Sequence, residues 1–325
     1  MRNYTYSSTL REEMTDFLKL RTSRGISSEE HYVLQRLDRY LVEQCVSEKT
    51  LTSGTIDGFI AHYHTGRTEK TIQRYVSLCS QFAKFLATLG IAAFIPDYVS
   101  ATQSYIPYIF SEDEINRIFA AADNMKIHGL TERRMLRRMQ IPMLLRLLYG
   151  CGLRLGEALY LRLENIDFDT GVLRILNAKG HKDRLVPMEK GLSMLLQRYC
   201  GIISPYKNGA ELLFEGNGGT PLCQDYVGVR FRHILSDAGI DEPRTKGKRG
   251  VCLHCFRHTF AVHSFRMQDK AGLDNYSVSP SLSIYLGHYK LTGTQKYLHM
   301  TAENSEDIWN MTSEVSKSII PGVPK

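Results

Sequence analysis

The sequence predicts a mainly α-helical protein with one small antiparallel β-sheet: an N-terminal helical bundle followed by a C-terminal mixed α+β domain. Two observations carry this. Over residues 1–95, apolar side chains recur at helical spacing between short polar breaks; between Asn165 and Met188 the character changes to strand, and helical patterns then return. With 325 residues and 43% hydrophobic content the chain can bury a substantial core, and its length favours two domains.

The elements follow in order. A weak helix is expected near Leu10 to Leu20. Ser27-Ser28 ahead of Glu29-Glu30 reads as a helix start with acidic first-turn residues, after which Tyr32, Val33, Leu37, Tyr40, Leu41 and Cys45 share a helical face. A second helix covers Ser53 to His64. The longest begins near Thr68, carries Ile72, Tyr75, Val76, Cys79, Phe82, Phe85 and Leu86, and closes at Gly90. These helices make a compact bundle. Residues 96–108 read as a linker, because Pro96, Pro107 and the polar run Ser100 to Ser104 break the pattern.

The second domain is expected over residues 109–302. Ser111 caps a helix containing Ile115, Ile118 and Phe119, and another helix runs from about Arg134 to Tyr149 and ends at Gly150. Ile166 to Phe168, the turn Asp169-Thr170-Gly171, and Val172 to Leu176 are the first two strands. A hairpin tip at Lys179-Gly180-His181-Lys182 leads to a third, Arg184 to Val186, stopped by Pro187. Helices are expected near Lys190 to Tyr199, Gln224 to Ala238, His258 to Arg266, and Pro280 to Leu286 with Gly287 ending the last.

Composition narrows the function classes. No apolar run of about 18 residues occurs, and the Met-Arg-Asn-Tyr-Thr start lacks a signal peptide's apolar stretch, so an intracellular, cytoplasmic protein with no membrane partner is expected. Seven cysteines, an odd number, fit a reducing compartment. The net charge of +7 permits nucleic-acid binding without demanding it. Basic residues cluster at Arg133, Arg134, Arg137 and Arg138, and again at Arg244, Lys246, Lys248 and Arg249. Of these Arg133, Arg137, Arg244, Lys246, Lys248 and Arg249, with Lys182, are the DNA-binding candidates; a solvated face is the competing reading.

Six polar residues of the second half describe a site for a phosphodiester: Arg154, Lys179, His254, Arg257, His288 and Tyr297. Metal-free cleavage concentrates charge on two nonbridging oxygens, and arginine forks stabilise it best. Arg154 follows the apolar helix Ile141 to Tyr149 and the break Gly150-Cys151-Gly152, a place for a partly buried side chain. A buried arginine needs an anionic partner, and Glu157, one turn later, is the local one. Arg257 stands one turn after His254, so imidazole and guanidinium share a helix face.

A leaving oxygen needs a proton, which Lys179 at the hairpin tip can supply, with His181 and Lys182 as rivals. His288 follows Leu286-Gly287, where it either caps a helix end or exchanges a proton. Tyr297 is one of eighteen tyrosines, and its phenol needs nearby cations or a base for activation; His288, nine residues earlier, can supply it. Singly, each of these has a bland alternative as a surface arginine, a turn lysine or a helix-end histidine.

In this order the frames resemble those of the tyrosine recombinase, or phage integrase, family. Gly152-Leu-Arg-Leu-Gly-Glu157 resembles the first arginine box; Lys179 followed by Asp183-Arg-Leu-Val-Pro187, the hairpin lysine; Leu253-His-Cys-Phe-Arg-His258, the His-x-x-Arg box; and Leu286-Gly-His288 with Thr294-Gln-Lys-Tyr297, the terminal box. The match spans roughly Tyr105 to Met300.

The resemblance implies a core-binding domain and a catalytic domain clamped on duplex DNA. It also implies Tyr297 attacking a scissile phosphate to leave a 3′-phosphotyrosine, and strand exchange through a Holliday junction in a homotetramer built from free monomers. It implies no cofactor, neither metal nor ATP, a nucleoid-associated location, and a mobile element or chromosome as target. Residues 303–325, with Ile308, Trp309, Val315 and Ile319, would dock on a neighbouring protomer or close their own domain. The stretch from Arg257 to His288 is longer than the family pattern, so Gln268 to Ser279 is expected to be an inserted loop.

Two other classes compete. A type IB topoisomerase would use similar chemistry to relax supercoils without strand exchange. A non-catalytic DNA-binding protein, with zinc at Cys252, Cys255, His258 and His263, would do no covalent chemistry, although finger or ribbon spacing is missing.

Overall fold

In a computed structural model of the chain, the described residues are 5–23, 31–97, 107–126, 132–176, 183–206, 211–240, 250–288 and 291–302. The chain divides into two compact units, Met1–Tyr105 and Ile106–Lys325.

The first unit holds α1 (Arg11–Ser23), α2 (His31–Glu43), α3 (Ser53–His64) and α4 (Glu69–Thr88). The capping logic is local: Thr52 and Thr68 accept the amides of Thr55 and Thr71 at 3.2 and 3.4 Å, satisfying donors the helices cannot. The apolar faces meet in one core of Phe17, Leu34, Leu37, Phe59, Tyr75, Phe82 and Leu86, with Phe59 and Tyr75 stacked at 5.7 Å. The expected start at Ser27 to Glu30 and most of the expected linker lie outside the described residues.

In the second unit, α5 (Glu112–Asp123) begins with a capping box in which Ser111 and Glu114 satisfy each other's amides at 3.1 and 2.8 Å. It is followed by α6 (Glu132–Gly150) and a five-residue helix, α7 (Leu155–Leu159), too short for periodicity to reveal. Strands β1 (Ile166–Asp167), β2 (Val172–Ile175) and β3 (Arg184–Pro187) form an antiparallel sheet in that order, with Leu173 opposite Val186 and Ile175 opposite Arg184. Then come α8 (Lys190–Ile203), α9 (Gln224–Asp237), α10 (His254–Lys270), α11 (Asn275–Leu286) and α12 (Thr292–Ala302). The main core joins α5, α6, the sheet, α8, α9 and the start of α10 through Phe110, Ile118, Leu144, Leu173, Val186, Leu196, Phe231 and Phe256. A smaller one joins α10, α11 and α12 through Val262, Phe265, Leu282, Leu286, Tyr297 and Leu298.

The expected inserted loop at 268–279 is corrected. Helix α10 runs on to Lys270, and α11 begins at Asn275, leaving a four-residue turn, 271–274. Gly272, at φ +73°, breaks the first helix, and the Asp274 carboxylate starts the second by accepting the amides of Tyr276 and Ser277. The polar composition that suggested a loop is that of a cap and an exposed helix face. Residues 303–325 lie outside the described residues.

Candidate functional site

Helix α11 ends at Gly287, whose left-handed backbone (φ 65°, ψ 47°) turns the chain so that the amides of Gly287 and His288 satisfy Ile284 and Ser283. The carbonyls beyond these have no helical donor and lie at the negative end of the helix dipole. Three arginines from three other elements take them in sequence. Tyr285 O accepts from Arg184 Nε at 2.8 Å, Leu286 O from Arg257 Nη2 at 2.5 Å, and Gly287 O from Arg154 Nη2 at 2.9 Å.

Each arginine is placed by local backbone. Arg154 sits just ahead of α7, and its amide donates to Glu157 Oε2 at 2.9 Å, so the carboxylate that starts the helix also stands beside the guanidinium. Arg257, in the first turn of α10 and 1% exposed, also donates from Nη1 to Gly152 O at 2.8 Å. Gly152 has φ +57°, and a Cβ there would fall 2.6 Å from the Phe260 ring, so only glycine brings that carbonyl to Arg257. Arg184 opens β3 on the same inward-facing parity as Val186.

Three guanidinium charges thus gather around one carboxylate. Glu157 receives Arg154 Nη1 at 2.6 Å on Oε1, and both Nη groups of Arg184, at 3.0 Å on Oε1 and 2.7 Å on Oε2. Burial opposes ionisation of Glu157, but the hydrogen bonds and charge of Arg184, with those of Arg154, override it and bring its pKa down to about 2. Burial and then the charge of Arg154 pull Arg257 down to about 9, which leaves it protonated at neutral pH. Both its Nη groups meet carbonyls, so its charge is solvated by dipoles. The cluster carries surplus positive charge, and the Arg154 side chain, 26% exposed, is the one most open to an incoming anion.

Tyr297, on α12, is 1% exposed in the smaller core. Its hydroxyl is 2.6 Å from Nδ1 of His258, whose ring packs edge-on against that of His254 at 4.5 Å. Burial raises the Tyr297 pKa to about 12, against the opposing pull of Arg257 and Arg154. His288 stacks on the Tyr297 ring, centroids 6.3 Å apart, and its Nδ1 meets Thr294 Oγ1 at 2.6 Å.

The structure therefore brings together Arg154, Glu157, Arg257, His288 and Tyr297. His254 is exposed at the first position of α10, whereas Arg257 is buried. Lys179, Lys182, Arg244, Lys246, Lys248 and Arg249 lie outside the described residues, and Arg133 is described only as part of α6. Arg137 donates to Asn217 Oδ1 at 3.1 Å and lies over the Tyr226 ring at 4.8 Å. Sequence reasoning missed Arg184, His258 and Thr294. Arg184 was detectable as a charge on the inward parity of a strand; nothing in linear spacing pairs His258 with Tyr297. Among the described residues no cluster of histidine, cysteine and acidic side chains is arranged to hold a metal ion. His263 Nδ1 meets the Tyr149 hydroxyl at 3.0 Å, and the Cys252 and Cys255 sulfurs are 3.9 Å apart.

Comparison with known proteins identifies the family. The profile of the phage integrase family matches residues 109–304, more than half of the chain. The tyrosine recombinase XerD of Staphylococcus aureus is 27% identical over 289 residues, covering 86% of this chain and 85% of its own. XerC of Staphylococcus carnosus is 26% identical over 251 residues, 76% of each. Among solved structures, XerH bound to a palindromic difH substrate in a post-cleavage complex superposes with a TM-score of 0.61 at 19% identity, over 82% of this chain and 73% of its own. A lambda integrase dimer on a COC′ core site gives 0.61 at 16%, over 87% and 96%. These two likenesses establish the fold.

Proposed function

The chain belongs to the phage integrase family of tyrosine recombinases, and on that premise we propose that Arg154, Arg257 and Tyr297 are the centre of its strand-cleavage site. The protein is a site-specific recombinase that cleaves and rejoins DNA. The observation that carries the residue assignment is the convergence of Arg154 and Arg257 on successive carbonyls at the end of α11, with Tyr297 in the small core that contains Leu286 of that helix end.

In this reading a scissile phosphate enters beside Arg154, the more open of the two, and Arg257 supplies fixed charge from below. Both are held before the substrate arrives, so little reorganisation is needed as charge grows on the nonbridging oxygens. Tyr297 Oη attacks phosphorus, the bond to the 5′-oxygen breaks, and a 3′-phosphotyrosine and a 5′-hydroxyl result. The phenol's proton passes to His258, which the 2.6 Å contact supports, and Lys179 donates to the leaving oxygen. His254 and His288 contribute hydrogen bonds to the phosphoryl group. Reversal by a partner strand's hydroxyl rejoins the DNA, and two rounds pass through a Holliday junction.

Double-stranded DNA is the partner, with residues 1–95 as the core-binding domain, residues 96–108 as the linker, residues 109–302 as the catalytic domain, and Arg133, Arg137, Lys182, Arg244, Lys246, Lys248 and Arg249 as backbone contacts. A homotetramer assembles on DNA from free monomers, as the dimeric arrangement of the lambda integrase complex supports at a coarser level. No helix of the described residues is long and apolar enough to cross a membrane; association with the nucleoid follows from DNA binding.

The deciding experiment incubates the full chain with nicked duplexes from the DNA flanking its own gene and looks for a denaturant-resistant adduct. The adduct is expected to form with a chelator present and to be absent with Tyr297→Phe. An adduct that survives that substitution, or one that needs a divalent metal, sinks the proposal.

A further inference from the structure

We propose that Arg184 is a positioning residue of this site, holding the Arg154 guanidinium in its working orientation through the carboxylate of Glu157 that the two arginines share. The inference rests on the reaction proposed above, and on four features of the structure.

First, Arg184 has no face left for a phosphate. Its side chain is 5% exposed, its Nε meets Tyr285 O, and both Nη groups meet Glu157, so every nitrogen of the fork is engaged within the protein. It acts on substrate only through other residues. Second, Glu157 Oε1 is common to both arginines, at 2.6 Å from Arg154 Nη1 and 3.0 Å from Arg184 Nη1. A carboxylate relieved of Arg184 would turn to pair with both nitrogens of the remaining fork, the favoured geometry for arginine and carboxylate, and would swing Arg154 away from Gly287 O.

Third, Arg184 packs against the backbone that leads into His288. A Cβ on Gly287 would lie 3.0 Å from Arg184 Nη1 and 3.1 Å from its Cδ, so the guanidinium lies directly on that glycine. Fourth, Arg184 opens β3, the strand leaving the segment that contains Lys179 in sequence. One buried side chain thus joins the first arginine box, the hairpin strand and the end of α11. Lysine would not replace it, because a point charge on a flexible stem makes neither the paired bonds nor the third to Tyr285 O.

Among the described residues, the charged groups facing Glu157 are Arg154 ahead of α7, Arg184 on β3 and, at longer range, Arg257 on α10. With Arg184 removed, burial still opposes ionisation while the larger of the two arginine contributions is lost. Glu157 then takes up a proton at a higher pH, and a neutral carboxyl no longer holds Arg154.

Single-turnover adduct formation by the wild type, Arg184→Gln and Arg184→Lys, followed from pH 8 to about pH 5 on the nicked duplexes above, tests this. Arg184→Gln is expected to slow cleavage about 100-fold near pH 7.5, the scale of an ångström-level misplacement, with DNA affinity within about threefold of wild type. The deficit should widen as the pH falls, and Arg184→Lys should recover only part of the rate. A merely structural role would lower the melting temperature and the reactive fraction but leave the ratio of rates independent of pH.

Carbon-detected titration of Glu157 in glutamate-labelled protein reads the coupling without DNA, and its midpoint should rise in Arg184→Gln. Wild-type rate and pH profile in Arg184→Gln, or an unmoved Glu157 titration, overturns the inference. If the wild type forms no Tyr297-dependent adduct, the proposed reaction fails, and the titration still decides the coupling.

Discussion

The hydroxyl of Tyr297 lies 2.6 Å from Nδ1 of His258, in a setting where the tyrosine is 1% exposed and its pKa is raised to about 12 by burial. The phenol is paired with a group able to take its proton, yet it is packed among Val262, Phe265 and Leu286. In the proposed reaction a phosphate entering at Arg154 has to reach that oxygen, which this packing shields.

Tyr297→Phe is expected to eliminate the covalent adduct, and His258→Gln to slow its formation by about 100- to 10,000-fold, the usual contribution of a positioned base. Single-turnover assays on a nicked duplex measure both. Equal rates for wild type and His258→Gln would remove His258 from the reaction.

Arg154→Ala and Arg257→Ala should each lower the cleavage rate by about 100- to 1,000-fold, since the first removes a preorganised donor and the second a fixed positive charge from beside the developing negative charge. Their stabilities should differ. Arg257→Ala strands the buried carbonyls of Gly152 and Leu286, at about 1–3 kcal/mol for each, whereas Arg154 is partly solvated. Denaturant titration alongside the kinetics separates the two effects.

The Arg184 and Arg154 contacts outweigh burial and bring the Glu157 carboxyl down to about 2 from an ordinary value of 4.5. A depressed folded pKa contributes stability that is fully present above the unfolded value and is lost as pH falls towards the folded one. The contribution is about 3 kcal/mol at neutral pH. Glu157→Gln should therefore be less stable than wild type at pH 7, with the two converging between about pH 5 and 2, as followed by urea unfolding.

Gly287→Ala should destabilise the protein by about 1–2 kcal/mol through the left-handed backbone alone, and by more if Arg184 is displaced. Thermal unfolding should show a lowered melting temperature, accompanied by slower cleavage. Gly66, equally left-handed but with no atom within 4 Å of its would-be Cβ, is the control for the backbone term.

Much of the fold was legible because its signals are local. The caps Thr52, Thr68 and Ser111 and the terminal Gly287 mark where backbone groups lose helical partners, and each is satisfied within a few residues. Where the reading failed, at 268–279, Asp274 was the cue: a cap four residues after one helix ends starts another, and a polar exposed helix resembles a loop in composition. The short helix α7 escaped because five residues hold little more than one turn.

The order of Arg154, Lys179, His254, Arg257, His288 and Tyr297 is written in the sequence by itself, and with it the family and the class of chemistry. Residue type and ordered spacing suffice there, because the reaction needs particular functional groups. Tertiary structure alone decided that Arg184 shares Glu157 with Arg154, that His258 meets the Tyr297 hydroxyl, and that three arginines end on consecutive carbonyls where α11 stops. These partners are 27, 39 and up to 133 residues apart. Hydrogen bonds and burial act over a few ångströms in space, and a linear pattern carries no record of which distant side chains packing brings into that range.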